Sequence, residues 1–238
     1  MKNQKRLTAP ARLTAWVTCL LIGGLLSTGV TATPEAEQPE AQQAVPETAV
    51  DPQDESSEIV IFDGNNVAPW RMYLGSSTNW MVPIEGPETK SYKSNIVSVR
   101  TTDYMKNADA YQAEWKGGLG QVYWQEFQAW DLTELAAQGG ALSMVIRIDK
   151  EPKKSVDLKM DCGYPCAGSL SMTQLFKTVP KDQWFRVSFK INCFKEAGAN
   201  LAHIMAPLVV ATKGSFKMSF ADVRLMRNPP PESVIACG

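Results

Sequence analysis

The second half of the sequence alternates apolar and polar residues with a period of two. In segments 142–148, 155–161, 183–191 and 215–225, one set of alternate positions is apolar and the other is polar. Successive side chains of a strand point to opposite faces of its sheet, so this pattern is typical of a strand with one buried face. The four segments are therefore predicted to be half-buried antiparallel strands.

Shorter β-like runs precede them at 59–62, 70–74, 96–101, 111–115 and 121–126, separated by loops rich in Gly, Ser, Pro and Asn. The glycine-rich turn at 116–120 predicts a hairpin between the last two runs. A short helix is predicted over 131–137, with Asp131 as N-cap, Glu134 at the capping-box position and Gly139-Gly140 at its end. About ten strands and one short helix predict an all-β fold, a two-sheet antiparallel β-sandwich.

The N-terminus has the three parts of a signal peptide. Positively charged residues come first, an apolar segment follows at 13–26, and small or β-branched residues occupy 27–32. We therefore predict a Sec-type signal peptide over 1–32, cleaved after Ala32, and a periplasmic or secreted protein. The alternative is a retained membrane anchor, but the apolar segment is shorter than the roughly 20 residues that span a bilayer.

Residues 33–57 are predicted to be a disordered linker. They include four prolines and seven acidic residues, no Lys or Arg, and no aromatic, Leu, Ile or Met side chain. Such a segment has too little apolar surface to offset the entropy of ordering. One folded domain over 58–227 and a C-terminal tail over 228–238 complete the predicted organisation.

Charge excludes one class of partner. The whole chain has a formal net charge of −1, the signal peptide contributes +4 and the linker −7, which leaves the rest of the chain near neutral. A nucleic-acid-binding domain usually carries a basic patch, so no nucleic-acid partner is expected. No later apolar run approaches the length of a membrane span, and the processed protein is expected to be soluble.

Four cysteines follow the predicted cleavage site: Cys162, Cys166, Cys193 and Cys237. In an oxidising compartment an even number indicates two disulfides, with three pairings open. The tight turn at 163–165 would bring Cys162 and Cys166 within bridging range, and that pairing would leave Cys193 to fasten Cys237 in the tail. The alternative is a zinc site, for which the sequence offers one Cys-x3-Cys pair and a single histidine, His203.

Several segments resemble those of a known family. They are 111–117, 131–132, 139–143, Cys162-Gly163-Tyr164-Pro165-Cys166, 184–188, 193–194, 197–201, 206–207 and 214–225. Together they resemble the C-terminal galactose-binding-like domain of ExoP-type exo-β-glucan hydrolases in glycoside hydrolase family 3, over most of 63–227. The resemblance implies a jelly-roll β-sandwich that is accessory to glucan hydrolysis.

Catalysis is not expected. In those enzymes a barrel and a second α/β domain carry the nucleophile and the acid, and this sequence contains neither, so the resemblance does not extend to activity. Glycoside hydrolysis needs two facing carboxylates, and the spacing of the acidic residues Glu114, Glu126, Asp157 and Asp161 singles out no pair. His203 is expected in a connecting turn, and no Gly-x-Ser-x-Gly, Walker or His-Glu-x-x-His motif is present.

Sugar binding is the chemistry that the composition supports. Aromatic rings stack on pyranose faces, and Arg, Asp, Asn and Gln side chains bond to hydroxyl groups. Alternation places Trp184 and Arg186 on an outer face. We predict that the polar residues Arg147, Asp157 and Lys159 lie on that same sheet face. The predicted ligand contacts are Trp184, Arg186, Asp157, Lys159, Arg147, Trp124 and Trp115. For each tryptophan the alternative is packing in the core or at its rim.

The resemblance also implies a structural calcium ion between the first and last strands. Asp63 and Asp222 would supply side-chain oxygens and backbone carbonyls would complete the shell. As an alternative, Asp222 is an ordinary acid at a turn or strand end. No other cofactor is expected.

The expected function is non-catalytic binding of a polysaccharide or oligosaccharide of the β-glucan type, or docking beside a separate glycoside hydrolase. The first alternative is an interaction module that binds a protein or the cell envelope and has no glycan ligand. The second alternative is a glycoside hydrolase in its own right.

Overall fold

The computed structural model of the protein describes residues 58–93 and 95–237. The predicted signal peptide, its cleavage site and the acidic linker lie outside these residues and stay predictions. No helix in the described part of the chain has the length and apolar composition needed to cross a membrane.

Strands dominate the described chain. They are β1 (Glu58–Phe62), β2 (Arg71–Ser76), β3 (Asn79–Pro83), β4 (Glu88–Lys90), β5 (Val97–Thr102), β6 (Ala110–Lys116), β7 (Gly120–Gln125), β8 (Ala141–Lys150), β9 (Val156–Asp161), β10 (Ala167–Ser171), β11 (Trp184–Lys190), β12 (Ala206–Thr212), β13 (Ser215–Met226) and β14 (Val234–Ile235). The helices are α1 (Thr133–Ala137), α2 (Thr173–Thr178) and α3 (Ile191–Glu196), and a 3-10 turn covers Pro231–Ser233.

The strands form two sheets. Sheet A has eight strands in the order β14-β11-β8-β13-β6-β5-β4, with β1 also paired to β13, and sheet B has six in the order β10-β9-β12-β7-β2-β3. Within the described residues the strands pair antiparallel, apart from the parallel pair β11 and β14. The predicted all-β fold, a two-sheet antiparallel β-sandwich, is confirmed.

The core lies between the inward faces of the two sheets. Alternation along β8 and β13 places Ile146 and Phe220 inside, and alternation along β7 and β9 does the same for Trp124 and Leu158. Trp124 of sheet B packs edge-on against Phe220 of sheet A, with ring centroids 5.2 Å apart. Each large apolar side chain buried in this way contributes about 1.5–3 kcal/mol, so the interleaved faces hold the sandwich together.

Some elements have no period-two signal in the sequence. All seven residues of β12 are buried, and the strand shows an apolar run from Ala206 to Ala211 in place of alternation. β3 and β4 are short strands at sheet edges, with mostly exposed residues. The segment predicted as one strand over 183–191 ends at Lys190, because Ile191 begins α3, where Ile191 and Phe194 are buried.

The predicted helix over 131–137 is shorter than expected. α1 begins at Thr133 after Leu132, which makes no side-chain cap bond. Asp131 lies one position too early to cap the helix, and its Oδ1 instead accepts from the Thr133 backbone N–H at 2.8 Å. Glu134 accepts from Gln138 and does not bond back to the cap. Gly139, at φ +82°, ends the helix as predicted.

The segment predicted as a C-terminal tail belongs to the fold. β14 pairs with β11 in sheet A. A disulfide joins Cys193 to Cys237 with Cα atoms 5.4 Å apart, and a second joins Cys162 to Cys166 at 5.1 Å. Since all four thiols are in disulfides, the alternative of a zinc site at the Cys-x3-Cys pair is wrong.

Substitution of Gly168 by alanine tests the contact between β10 and α3. A Cβ at Gly168 would clash with the backbone oxygen of Phe194, so one of the two segments must move. We expect Gly168→Ala to lower the free energy of unfolding by about 2–4 kcal/mol, as overpacking and backbone displacement do. Urea denaturation measures the loss, with the exposed neighbour Ser169→Ala as control. Equal stability of the two variants would contradict the close packing.

Candidate functional site

The ligand contacts predicted from the sequence lie in separate places. Trp184 and Arg186 of β11 and Arg147 of β8 lie on the outer face of sheet A, where Trp184 is opposite Arg147. Asp157 and Lys159 lie on the outer face of sheet B. The prediction that all of these share one sheet face is wrong, because β9 belongs to the opposite sheet from β8 and β11.

Trp115 and Trp124 do not reach the surface. They are 1% and 0% exposed, since alternation along β6 and β7 turns them inward with Ala113 and Val122. Their prediction as ligand contacts is wrong. The glycine-rich segment 116–120 does join β6 to β7, but the predicted hairpin is wrong, because β6 lies in sheet A and β7 in sheet B and the two strands do not pair. A turn also does not determine which face of its strands a neighbouring side chain occupies.

On the outer face of sheet A, the predicted side chains are engaged by their neighbours. The guanidinium carbon of Arg147 lies 4.7 Å from the centroid of the Trp184 ring, and the Tyr104 ring meets Trp184 edge-on at 5.0 Å. Arg147 also donates to Asp149 at 2.6 Å. These contacts stabilise the sheet, and the role of Trp184, Arg147 and Arg186 in ligand binding stays a prediction.

Asp222, one of the two predicted calcium ligands, does not fit a calcium site in this arrangement. Asp222 Oδ2 accepts from Arg186 at 2.6 Å and its Oδ1 accepts from Arg224 at 2.7 Å. A cation there would have to displace two positive groups that already neutralise the carboxylate. In the part of the chain that the structure describes, no group of three Asp, Glu, His or Cys side chains could hold a metal ion.

An open groove lies on the outer face of sheet B, with a volume of about 240 Å³. It follows β7, and we call it the sheet B groove. Its lining residues are Trp80 and Met81 of the edge strand β3, Gln121, Tyr123 and Gln125 of β7, Asp161, Gly163 and Tyr164 at the end of β9, and Met205, Ala206 and Val209 in and before β12.

Trp80 is held at the rim through its backbone. Its carbonyl oxygen accepts a hydrogen bond from the Tyr123 hydroxyl at 2.9 Å. A Cβ at Gly75 of β2 would lie 2.5 Å from that same oxygen, so glycine is needed for this close approach. Trp80 is 44% exposed and lines the groove.

Tyr123 forms the floor beneath this bond. Its ring stacks on Tyr73 with centroids 5.5 Å apart, in a small apolar cluster with Ala206 and Val209 that is separate from the main core. Burial raises the pKa of the Tyr123 phenol, and Tyr73 and Asp161 add to the shift. The hydroxyl therefore stays protonated and keeps donating to Trp80.

Tyr164 projects from the turn that the Cys162–Cys166 disulfide closes. The turn is braced at its base, where Asp161 Oδ1 accepts from the Gly163 backbone N–H at 2.7 Å. The Tyr164 side chain itself is fully exposed. A ring presented on a cross-linked turn loses little conformational entropy when it contacts a ligand.

The groove combines aromatic rings with polar groups that are free to bond a ligand. The side-chain amides of Gln121 and Gln125 have no hydrogen-bond partner among the described residues. Asp161 is the one carboxylate among the described residues that line the groove. This chemistry suits the binding of a ligand that has both apolar faces and hydroxyl groups.

The family of the chain follows from its sequence. Residues 68–225 match the Exop_C family model, described as galactose-binding domain-like. The chain belongs to the Exop_C family. The resemblance based on the Cys-Gly-Tyr-Pro-Cys element and the final strand is thereby confirmed, and no curated protein sequence matches this Exop_C domain.

Solved structures share the fold of this Exop_C domain. The extra C-terminal domain (X) of an exo-1,3/1,4-β-glucanase (ExoP) from a Pseudoalteromonas species matches with a TM-score of 0.63 and 16% identity over 75% of this chain and 98% of that one. The whole enzyme matches with a TM-score of 0.65 and 15% identity, over 77% of this chain and 22% of its own length. The TM-scores show a shared fold, and at 15–16% identity the matches show nothing more.

A carbohydrate-binding module has the same architecture. The family 30 module of a cellulosomal cellulase from Clostridium thermocellum matches this Exop_C domain with a TM-score of 0.51 and 15% identity, over 73% of this chain and 99% of the module. The match again concerns the fold alone.

Three groove residues, Trp80, Tyr123 and Tyr164, are not identified from the sequence. Trp80 lies in a five-residue edge strand without clear alternation. Tyr123 is part of a predicted strand, but nothing in the sequence tells which of its faces is the outer one. Tyr164 does have a signal, since an aromatic residue between two closely spaced cysteines is held on an exposed turn.

A pair of matched substitutions tests the role of Asp222. We expect Asp222→Asn to lower the free energy of unfolding by about 1–2 kcal/mol, because two charge-assisted hydrogen bonds are weakened. Asp63→Asn, at an exposed position, should change it by less than about 0.5 kcal/mol. The melting temperature of the unsubstituted protein should be the same in calcium and in EDTA. A calcium-dependent rise that Asp63→Asn abolishes would instead restore the calcium hypothesis.

Proposed function

We propose that this Exop_C domain is a non-catalytic carbohydrate-binding module and that a β-glucan-type glycan binds in the sheet B groove. The observation that carries the proposal is the pair of exposed aromatic residues, Trp80 and Tyr164, that line one groove. Pyranose rings have apolar faces that stack on aromatic side chains, and such rings gain most when a ligand removes them from water.

The arrangement of the groove supports this ligand class. Trp80 is held through its backbone bond to Tyr123, and Tyr164 lies on a disulfide-closed turn, so the backbone at both positions is fixed before a ligand arrives. Gln121 and Gln125 offer donors and acceptors to hydroxyl groups. Each such hydrogen bond adds about 0.5–1.5 kcal/mol net.

The structural neighbours support a β-linked glucose polymer. The name of one enzyme specifies 1,3/1,4-β-glucan, and the other neighbour is a carbohydrate-binding module of a cellulase. Both names refer to β-glucans, so a mixed-linkage β-glucan is the first ligand to test.

A separate glycoside hydrolase is the proposed partner. The matching ExoP region is an extra C-terminal domain of an exo-glucanase. A binding module held beside a hydrolase raises the effective concentration of the enzyme at its polymer. The two disulfides are consistent with the oxidising periplasm or cell exterior, which is where we propose that the protein acts.

Substitution of Trp80 tests the proposed site. We expect Trp80→Ala to weaken binding of a 1,3/1,4-β-glucan oligosaccharide by about 1–3 kcal/mol, roughly tenfold to a hundredfold in Kd, because a stacking surface is lost. Isothermal titration calorimetry measures Kd. Trp184→Ala, on the outer face of sheet A, is the matched control and should bind like the unsubstituted protein.

Two results would reject the proposal. If the protein binds no glycan of a β-glucan panel, an interaction module without a glycan ligand becomes the better hypothesis. If Trp184→Ala loses affinity and Trp80→Ala does not, the ligand lies on sheet A. Release of reducing sugar by the purified protein would contradict the non-catalytic assignment.

The two disulfides allow a crossed test of the Tyr164 turn. On the chain-entropy estimate, removing Cys162–Cys166 by double serine substitution costs about 2 kcal/mol of stability, and removing Cys193–Cys237 costs about 4 kcal/mol, since that loop is longer. The loss of glycan affinity should follow the opposite order to the loss of stability. We expect weaker glycan binding when the Cys162–Cys166 bridge is absent and unchanged binding when Cys193–Cys237 is absent. Equal affinities would show that Tyr164 needs no bridge.

A further inference from the structure

The sheet B groove borders another concave region at Gln125. A second concave region of about 510 Å³ begins at this residue and includes Glu126 and Phe127, which follow β7, together with Trp70 and Arg71 next to it. Gln125 lines both regions. Arg71 of β2 is the cross-strand neighbour of Gln125. The two concave regions therefore meet at Gln125, at the end of β7.

The second region has the same kind of lining as the first. Phe127 is 63% exposed, which makes it one of the most exposed large apolar side chains of the described domain. It follows Glu126, whose backbone N–H donates to the Met205 carbonyl at 3.1 Å, so the segment is anchored to the strand beside it. An aromatic ring is again presented to solvent on an anchored backbone.

Free polar groups accompany this ring. The Arg71 guanidinium and the Glu126 carboxylate have no hydrogen bond or ion pair with any described residue. Most arginines on the outer face of sheet A, by contrast, are paired with carboxylates or a glutamine. A ligand hydroxyl can therefore bond to Arg71 and Glu126 without breaking an existing contact.

We propose that the region formed by Arg71, Gln125, Glu126 and Phe127 is a second subsite for the same glycan chain, and that the domain therefore binds a chain long enough to cover both regions. The inference rests on the proposed function. From Gln121 to Gln125 the first region extends about 13 Å along the strand, at about 3.3 Å per residue, and the second subsite continues beyond it. The preferred ligand class is a linear β-glucan segment, in preference to a short chain end.

A length series of oligosaccharides tests the second subsite. We would titrate 1,3/1,4-β-glucan oligosaccharides from two to eight sugars into the full mature protein and into Phe127→Ala. Affinity should rise with length and continue to rise after the first region is filled. Phe127→Ala should remove that later rise, with about tenfold weaker binding of the longest ligand and unchanged binding of the shortest that binds.

Controls separate the subsite from general effects. Met105→Ala removes another highly exposed apolar side chain, outside both regions, and should bind every length like the unsubstituted protein. Phe127→Tyr keeps an aromatic ring and should retain the length dependence. Thermal unfolding of each variant checks that the domain remains folded.

The outcomes distinguish this inference from the proposed function. If short ligands bind in a Trp80-dependent manner and longer ones bind no better, the second subsite is wrong and the proposed function stands. If Phe127→Ala weakens all lengths equally, or none, the subsite is also wrong. If no oligosaccharide of any length binds, both the proposed function and the second subsite fall together.

Discussion

Burial of one face of each sheet against the other is the constraint on which the rest of the structure depends. Contacts such as that between Trp124 and Phe220 join sheet B to sheet A, and large aromatic side chains are buried in them. A strand offers two faces, so a residue that builds this core cannot also meet a ligand. Recognition is left to the outer faces and to the turns at their edges.

The two outer faces use their residues differently. Sheet A pairs its charges internally, as in the chain of contacts that links Arg186, Asp222, Arg224 and Glu58. A ligand there would have to replace charge-assisted hydrogen bonds that already exist, with little net gain. Around β7, sheet B instead leaves the side-chain amides of Gln121 and Gln125 without hydrogen bonds to described residues, and Trp80 and Tyr164 exposed. A ligand can bond to these groups without breaking an existing contact, so each new hydrogen bond adds to its affinity.

The period-two alternation predicts the strands, and it predicts which face of each half-buried strand is buried. This part of the fold agrees with the structure in β8, β9, β11 and β13. It cannot assign strands to sheets, because sheet membership depends on pairing between distant segments. Asp157 is therefore grouped with Trp184 although β9 and β11 lie in opposite sheets. The pattern misses β12 because both faces of that strand are buried. It misses Trp80 because a short edge strand has too few residues to show alternation.

The position of Glu58 distinguishes the two layers of the sandwich. β1 begins there, on sheet A, where the Glu58 carboxylate accepts a hydrogen bond from Arg224 at 2.8 Å. The first strand of the domain thus belongs to the sheet opposite the sheet B groove. The described chain begins in one layer of the sandwich and the proposed groove lies on the other, so a glycan chain bound there would not contact the strand at which the described domain begins.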